Sequence, residues 1–263
     1  MCRWVAYRGD TIALQNYITE PTHSLVSQSI RAQQSIVSTN GDGFGLGWYG
    51  DSAEPGLYRE VRPAWSDENL RHLCRHIRSH MFFGHVRSST GTAVTRPNCH
   101  PFACGAWMFM HNGFVGNWSG LRRQVEQLIP DELYPARTGT TDSEAVFLAI
   151  MGQGVNADPI DAVARTLTAL SQMATRNGAT HALRFTAALA NGHDLYAFRF
   201  SVNDDANTLY YKSSPTGTVI VSEPLDENHA DWVEVSTNHV VVARADKPVE
   251  ILPFLGRQQV AAE

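Results

Sequence analysis

The chain has 263 residues, of which 43% are hydrophobic and 18% charged, so it can bury a sizeable core as one large domain or two small ones. A formal charge of −5, with arginines spread through both halves, excludes the basic stripe that nucleic acid or an anionic membrane would require. There is no apolar run of about 18 residues and no apolar leader after Met-Cys-Arg-Trp, which makes the cytoplasm the expected compartment and a small molecule the expected partner.

Short apolar runs at 4–7 and 11–14 open the chain, and 24–35, with Leu25 and Ile30 among small polar residues, is compatible with a modest helix. Glycines at 41, 43, 45 and 47 exclude a regular helix there and permit close approach by another group; a strand is expected to begin at Trp48-Tyr49. Ser66 or Asp67 caps a helix running to about His80, with Leu70, Leu73, Ile77 and Met81 in one apolar stripe, and 81–86 reads as a buried strand. A second apolar run, 106–110, is expected to stop at His111-Asn112-Gly113, residues that favour turns. Thr141 and Glu144 form a capping box for a helix over 141–151, and Asp158-Pro159 opens another to about Ala174. Strands at 181–190 and 195–201 flank the hairpin signal Asn191-Gly192, and 208–213, 218–222 and 239–243 continue the strand-rich part. Strands and helices in separate blocks favour an α+β architecture. With no linker in evidence, 1–263 is expected to form a single domain.

Four cysteines, at 2, 74, 99 and 104, are too few and too irregular for a disulfide framework, and Cys74, Cys99 and Cys104 are expected to be small buried thiols. Cys2 differs. Removal of Met1 would leave one residue carrying both a thiol, with an ordinary pKa of about 8.5, and an α-amine of about 7.7–8.0 that can accept the thiol proton.

Three downstream segments supply what cleavage of a glutamine side-chain amide needs besides a thiolate. Arg87, at the end of an apolar strand, suits a bidentate pair with a substrate α-carboxylate, with Thr90 adding a hydrogen bond. Asn112 and Gly113 can offer a side-chain amide and a backbone N–H to an oxyanion. Asp142, at a helix start, can face an α-ammonium group. The order Cys2, Arg87 with Thr90, His111-Asn112-Gly113 and Thr141-Asp142-Ser143-Glu144 resembles the glutaminase domain of class II glutamine amidotransferases, which are N-terminal-nucleophile (Ntn) hydrolases. Asn98-Cys99-His100-Pro101-Phe102 and Asn40-Gly41-Asp42-Gly43-Phe44-Gly45 are also similar to segments of that family. The resemblance implies a four-layer αββα fold with two antiparallel sheets. It also implies Cys2 as nucleophile, Asn112 and Gly113 as oxyanion hole, Arg87 and Asp142 as glutamine binders, and no cofactor. Ser222-Glu223-Pro224-Leu225 is similar to a segment of the single-domain subgroup that includes the ergothioneine-pathway γ-glutamyl hydrolase. No acceptor domain follows the glutaminase motifs, so the expected outcome is either hydrolysis or delivery of ammonia to a separate protein.

His72, His76 and His80 recur at helical spacing but opposite the apolar stripe and among Arg71, Arg75 and Arg78, which reads as a solvated basic face rather than a metal site. Cys99, His100 and Cys104 lack a second ligand pair, and the glycines at 41–47 lead into Trp48-Tyr49 rather than a helix, so neither a metal nor a nucleotide site is expected. Two other functions fit an exposed Cys2 or its fold: an Ntn amidase for a different acyl amide, against which Arg87 and Asp142 argue, and a non-catalytic γ-glutamyl-binding subunit that retains Met1.

Overall fold

The computed structural model describes residues 2–34, 39–89 and 91–255. The two opening apolar runs are one long strand, β1 (Arg3–Ala13), in which a register shift between Arg8 and Ile12 accommodates the polar Gly9-Asp10 step. Two short helices follow, α1 (Gln15–Ile18) and α2 (Leu25–Ile30); the Ser24 side chain caps the second by accepting from the Ser27 N–H. A hairpin of β2 (Phe44–Trp48) and β3 (Gly56–Glu60) comes next. β2 starts earlier than expected, with Gly45 inside it. A β-carbon there would drive into the His100 carbonyl, so the glycine serves close approach of the 100–102 segment rather than breaking the strand.

Asp67 caps α3 (Glu68–His76), its carboxylate accepting the Leu70 N–H at 2.8 Å. The helix stops short of His80 because Arg78 and Ser79 pair with Ala13 and Ile12 in β4 (Arg78–Val86). β5 (Phe102–Cys104) and β6 (Trp107–Val115) form the next hairpin. β6 does not stop at His111-Asn112-Gly113. Its pairing with β7 (Leu183–Ala190) runs from Met108↔Ala190 to Val115↔Leu183, and a continuous ladder outweighs the local turn tendency of Asn-Gly. Between these strands lie α4 (Trp118–Glu126), α5 (Asp142–Gly152) and α6 (Pro159–Arg176). After β7 come β8 (Leu195–Ser201), β9 (Tyr210–Ser214), β10 (Gly217–Val221), β11 (Val233–Glu234), β12 (His239–Ala243) and β13 (Glu250–Pro253).

Among the described residues the strands form two sheets, ordered β11-β9-β10-β1-β4-β2-β3 (sheet A) and β13-β12-β8-β7-β6-β5 (sheet B), with every pairing antiparallel. Side-chain alternation assigns the layers. On β1 and β4, Trp4, Ala6, Met81 and Phe83 face Met108, Met110, Ala188 and Ala197 of sheet B. Val5, Tyr7 and Phe82 point the other way, onto Ile18, Leu25 and Leu70 of α1–α3. The outer face of sheet B, through Phe109, Phe185 and Phe198, packs on Leu121, Phe147 and Leu167 of α4–α6. Each such fully buried aromatic or aliphatic side chain contributes about 1.5–3 kcal/mol by leaving water. The result is the αββα sandwich that the resemblance implied. No helix among the described residues is long and apolar enough to cross a membrane.

Candidate active site

Because Arg3 pairs with Val86, the residue before β1 lies beside the residues that follow β4. Cys2 is half-buried there, its sulfur 3.5 Å from the Ser88 N–H nitrogen and 3.6 Å from the Ser88 carbonyl oxygen. Burial pushes the Cys2 thiol up; the Ser88 N–H and the charges of Arg87 and Arg3 pull it down without overcoming that effect. The thiol therefore needs a base to become a nucleophile near neutral pH. Removal of Met1 falls outside the described residues.

Arg87 is only 3% exposed. Its backbone is fixed by hydrogen bonds to Gly43 (2.8 Å) and from Asp42 (3.0 Å). Its guanidinium donates to the Thr92 hydroxyl (2.7 Å), the Ser89 hydroxyl (3.1 Å) and, at 3.4 Å, the Asp42 carbonyl. No carboxylate among the described residues lies within ion-pair distance of it. Thr90, expected to assist Arg87, lies outside the described residues; the hydroxyls that do meet the guanidinium belong to Ser89 and Thr92.

From sheet B, Asn112 reaches across and donates through Nδ2 to the Cys2 carbonyl at 2.9 Å. Its own carbonyl accepts from the Asn207 side chain at 2.9 Å. The next residue must be glycine, since a β-carbon on Gly113 would collide with the Arg184 carbonyl and the His111 ring. Asp142 begins α5, its carboxylate accepting from the Val115 N–H (3.0 Å) and the Ser143 N–H (2.8 Å). The capping box is half-formed: Thr141 accepts the Glu144 N–H at 3.2 Å, but the Glu144 carboxylate turns to Arg137, Thr138 and Gly139. His111 is buried with Nδ1 2.9 Å from the Ser143 hydroxyl and Nε2 3.2 Å from the Arg184 carbonyl. The carbonyl can only accept, so Nε2 carries a proton, while the Ser143 hydroxyl lies between Nδ1 and the Asp142 carboxylate, 3.3 Å from its Oδ1.

Cys2, Arg87, Asn112, Gly113 and Asp142 all line one cavity of about 410 Å³. Ser88, Ser89, Thr92, His100, Phe114, Arg184 and Asn207 line it too, and none of these was expected as a site residue. Hydroxyls next to Arg87 were a signal for Ser89 and Thr92. Nothing in the sequence marks Asn207, which a loop between β8 and β9 delivers. Cys74 and Cys99 are fully buried as expected, their thiols pushed up to about 12 and about 11, whereas Cys104, expected to be buried with them, is only half-buried at the end of β5. His72 and His76 are exposed on α3, whereas His80 sits in β4 with Nε2 3.0 Å from the Gly192 carbonyl. No cluster of metal ligands occurs among the described residues.

An αββα sandwich with a thiol at the start of its first strand, opening onto a cavity that Arg87, Asn112 and Asp142 also line, has the layout of the Ntn hydrolases. The chain belongs to the class II glutamine amidotransferases, whose family profile matches residues 12–212, and it is an enzyme of that class. The match begins after Cys2. The chain is 28% identical to the probable glutamine amidotransferase DUG3 of Saccharomyces cerevisiae, over 93% of this chain and 82% of that protein. It is likewise 28% identical to the γ-glutamyl-hercynylcysteine sulfoxide hydrolase of Mycolicibacterium smegmatis, over 97% of this chain and 100% of that one. Among solved structures, a glutamine aminotransferase class-II domain protein from Silicibacter pomeroyi superposes with a TM-score of 0.77 at 35% identity, covering 97% of this chain and all of that one. The glutamine phosphoribosylpyrophosphate amidotransferase of B. subtilis, at a TM-score of 0.66 and 14% identity, shares the fold; 97% of this chain covers 49% of that one.

Proposed function

We propose that the enzyme hydrolyses a γ-glutamyl amide with Cys2, exposed as the N-terminal residue by removal of Met1. The α-amine of Cys2 takes the thiol proton as sulfur attacks the γ-carbonyl, and returns it to the leaving amine as the C–N bond breaks. Water then cleaves the γ-glutamyl thioester, giving glutamate and restoring the thiol. Ammonia is the other product when glutamine is the substrate, and a larger amine when a γ-glutamyl conjugate is used.

The observation that carries this reading is the Arg87 guanidinium. It is buried, has no carboxylate partner among the described residues, and lines the same cavity as Cys2 and Asp142. An unpaired buried charge costs several kcal/mol, a cost that a bound anion relieves. The substrate α-carboxylate pairs with Arg87, Ser89 and Thr92 hold the guanidinium fork, and Asp142 receives the α-ammonium. Asn112, which keeps a second amide hydrogen, and the Gly113 N–H receive the oxyanion, each donor worth about 2.7–4 kcal/mol in the transition state. The cavity volume lies in the range of roughly 300–1,000 Å³ that takes whole small ligands.

The M. smegmatis relative, matched along its entire length, is named a hydrolase. That favours direct hydrolysis, with delivery of ammonia to a separate protein as the other use of the same chemistry. In this proposal 1–263 is one catalytic domain acting in the cytoplasm. Cys2→Ala should lower glutamate release from glutamine or a γ-glutamyl anilide by on the order of 10⁴-fold or more. Release that persists in that variant refutes the assignment. Covalent labelling of Cys2 by the diazoketone analogue of glutamine distinguishes the enzyme from a binding subunit that retains Met1, and competition by free glutamate distinguishes it from an amidase for other acyl groups.

A further inference from the structure

The segment Ser222-Glu223, just beyond β10, is tied to the start of β1 at two consecutive residues. Ser222 accepts the Trp4 N–H through its hydroxyl at 2.9 Å and donates its own N–H to the Trp4 carbonyl at 3.1 Å. Glu223, 2% exposed, accepts Nε of the fully buried Arg3 at 2.8 Å. The same carboxylate accepts the N–H groups of Gln33 (2.8 Å) and Gln34 (2.9 Å) and lies 2.5 Å from Nε2 of His23. Arg3 spends the rest of its fork on the Gln34 carbonyl and, at 3.1 Å, on the carbonyl of Cys2. That Cys2 carbonyl also receives Asn112 Nδ2 at 2.9 Å, so both of its lone pairs are occupied, one from each sheet.

We propose that Arg3, locked by Glu223, is a positioning residue for the nucleophile: it clamps the carbonyl of Cys2 so that the sulfur and the amine of that residue keep their geometry against the bound γ-glutamyl carbonyl. Once Met1 is gone, Cys2 has no preceding residue to restrain it. It lies outside the β1–β4 ladder, and among the described residues its thiol hydrogen-bonds only to the Ser88 backbone. Fixing the carbonyl fixes the plane from which both reacting groups project. The guanidinium suits this task because it reaches the carboxylate through Nε and the carbonyl through Nη1 at once, which an ammonium cannot do. Glu223 suits it because its buried carboxylate has every direction filled by donors, leaving Arg3 a single orientation. The clamp rests on the proposed role of Cys2 and assigns a task to Arg3 and Glu223, which contact neither the substrate-binding residues Arg87 and Asp142 nor the reacting atoms.

The test uses the full-length enzyme, with Met1 removal verified by intact mass, and compares wild type with Arg3→Gln, Arg3→Lys and Glu223→Gln. Turnover is measured with glutamine and with a γ-glutamyl anilide, and modification of Cys2 by the diazoketone analogue is followed by peptide mass. Misplacement of a reacting group by about 1 Å can cost on the order of 10²-fold, so kcat per folded molecule and the rate of Cys2 labelling should fall by that order in Arg3→Gln and Glu223→Gln, with KM little changed. Arg3→Lys should not rescue them, despite keeping the charge. Folded variants that retain wild-type kcat and labelling rates overturn the proposal. So does activity lost only in proportion to lost folded protein, which would make the pair a staple of the sheet. If the wild-type enzyme itself neither turns over nor labels at Cys2, it is the nucleophile assignment that has failed, and the clamp falls with it.

Discussion

On the sheet B side of the cavity, Asn112 and Gly113 lie inside a strand whose ladder runs unbroken from Met108 to Val115, and Asp142 opens a helix buried along most of its length. On the sheet A side, Cys2 precedes β1 and Arg87 follows β4. Both lie beyond the ladder and depend on Ser88, Asp42, Ser89, Thr92 and the Arg3–Glu223 pair. One wall is preorganised by a continuous strand ladder and a buried helix; the other by backbone contacts beyond the strand ends, reinforced by polar side chains. Single substitutions in the first should therefore tell mainly on stability, and in the second mainly on function.

The sharpest break of that contrast is Arg87→Met. Loss of a bidentate carboxylate partner should lower kcat/KM by on the order of 10³-fold, mostly through KM. Stability should not fall with it, because the change removes a buried charge that no carboxylate among the described residues balances. Urea unfolding should give a free energy within about 0.5 kcal/mol of wild type, or higher. A loss of about 3 kcal/mol would show that Arg87 braces the sheet A wall rather than waiting for a ligand.

A second effect belongs to the seam between the walls. His85 of β4 and His100 stack with ring centroids 4.3 Å apart, and both are buried. Burial lowers His85 to about 3, assisted by the charge of Arg87, and lowers His100 well below its ordinary value, assisted by His85, His111, Arg87 and Arg59. Their folded values lie below the unfolded value of about 6.5, so the unfolded chain binds more protons. The stability tied to their neutral state is complete above about pH 6.5 and is lost as pH falls from there, down to about 3 for His85. His85 contributes a slope of about 1.4 kcal/mol per pH unit, or roughly 2 kcal/mol between about pH 6.5 and 5, and His100 acts in the same direction. Urea midpoints measured across that interval should drop accordingly, and less steeply in His85→Phe. A flat profile would mean that the seam is wet and that the imidazoles titrate normally.

What the sequence made legible divides along the same line. Cap residues and apolar periodicity located α3, α5 and α6, and Cys2, Arg87, Asn112, Gly113 and Asp142 do meet around one cavity. Local signals failed where long-range pairing decides. Asn112-Gly113 looks like a turn until β7 pairs with it, and Ile77 looks helical until Ser79 is recruited by β1. Asn117, a residue type that favours the N-cap, precedes α4 but adopts a left-handed conformation with no side-chain cap bond, so the usual start rule does not describe this helix. The Glu144 carboxylate abandons its capping box for Arg137, a partner placed by the 130–140 loop. Asn207 and Glu223 reach the site region from far along the chain, and a spacing rule has no access to such contacts.

Thr141→Ala is the smallest perturbation and tests which element places Asp142. Thr141 accepts the Glu144 N–H, and losing that cap should cost about 1 kcal/mol of unfolding free energy. The Asp142 carboxylate, however, is held by the Val115 N–H from β6 as well as by the Ser143 N–H at the helix start. If the strand ladder governs this wall, kcat and KM should stay within about threefold of wild type while stability drops, since fraying of a helix end leaves the Val115 contact in place. A tenfold rise in KM would instead make the α5 terminus the element that presents the carboxylate. The sheet B wall would then depend on a single side-chain cap, much as the opposite wall depends on its clamps, and the contrast between them would disappear.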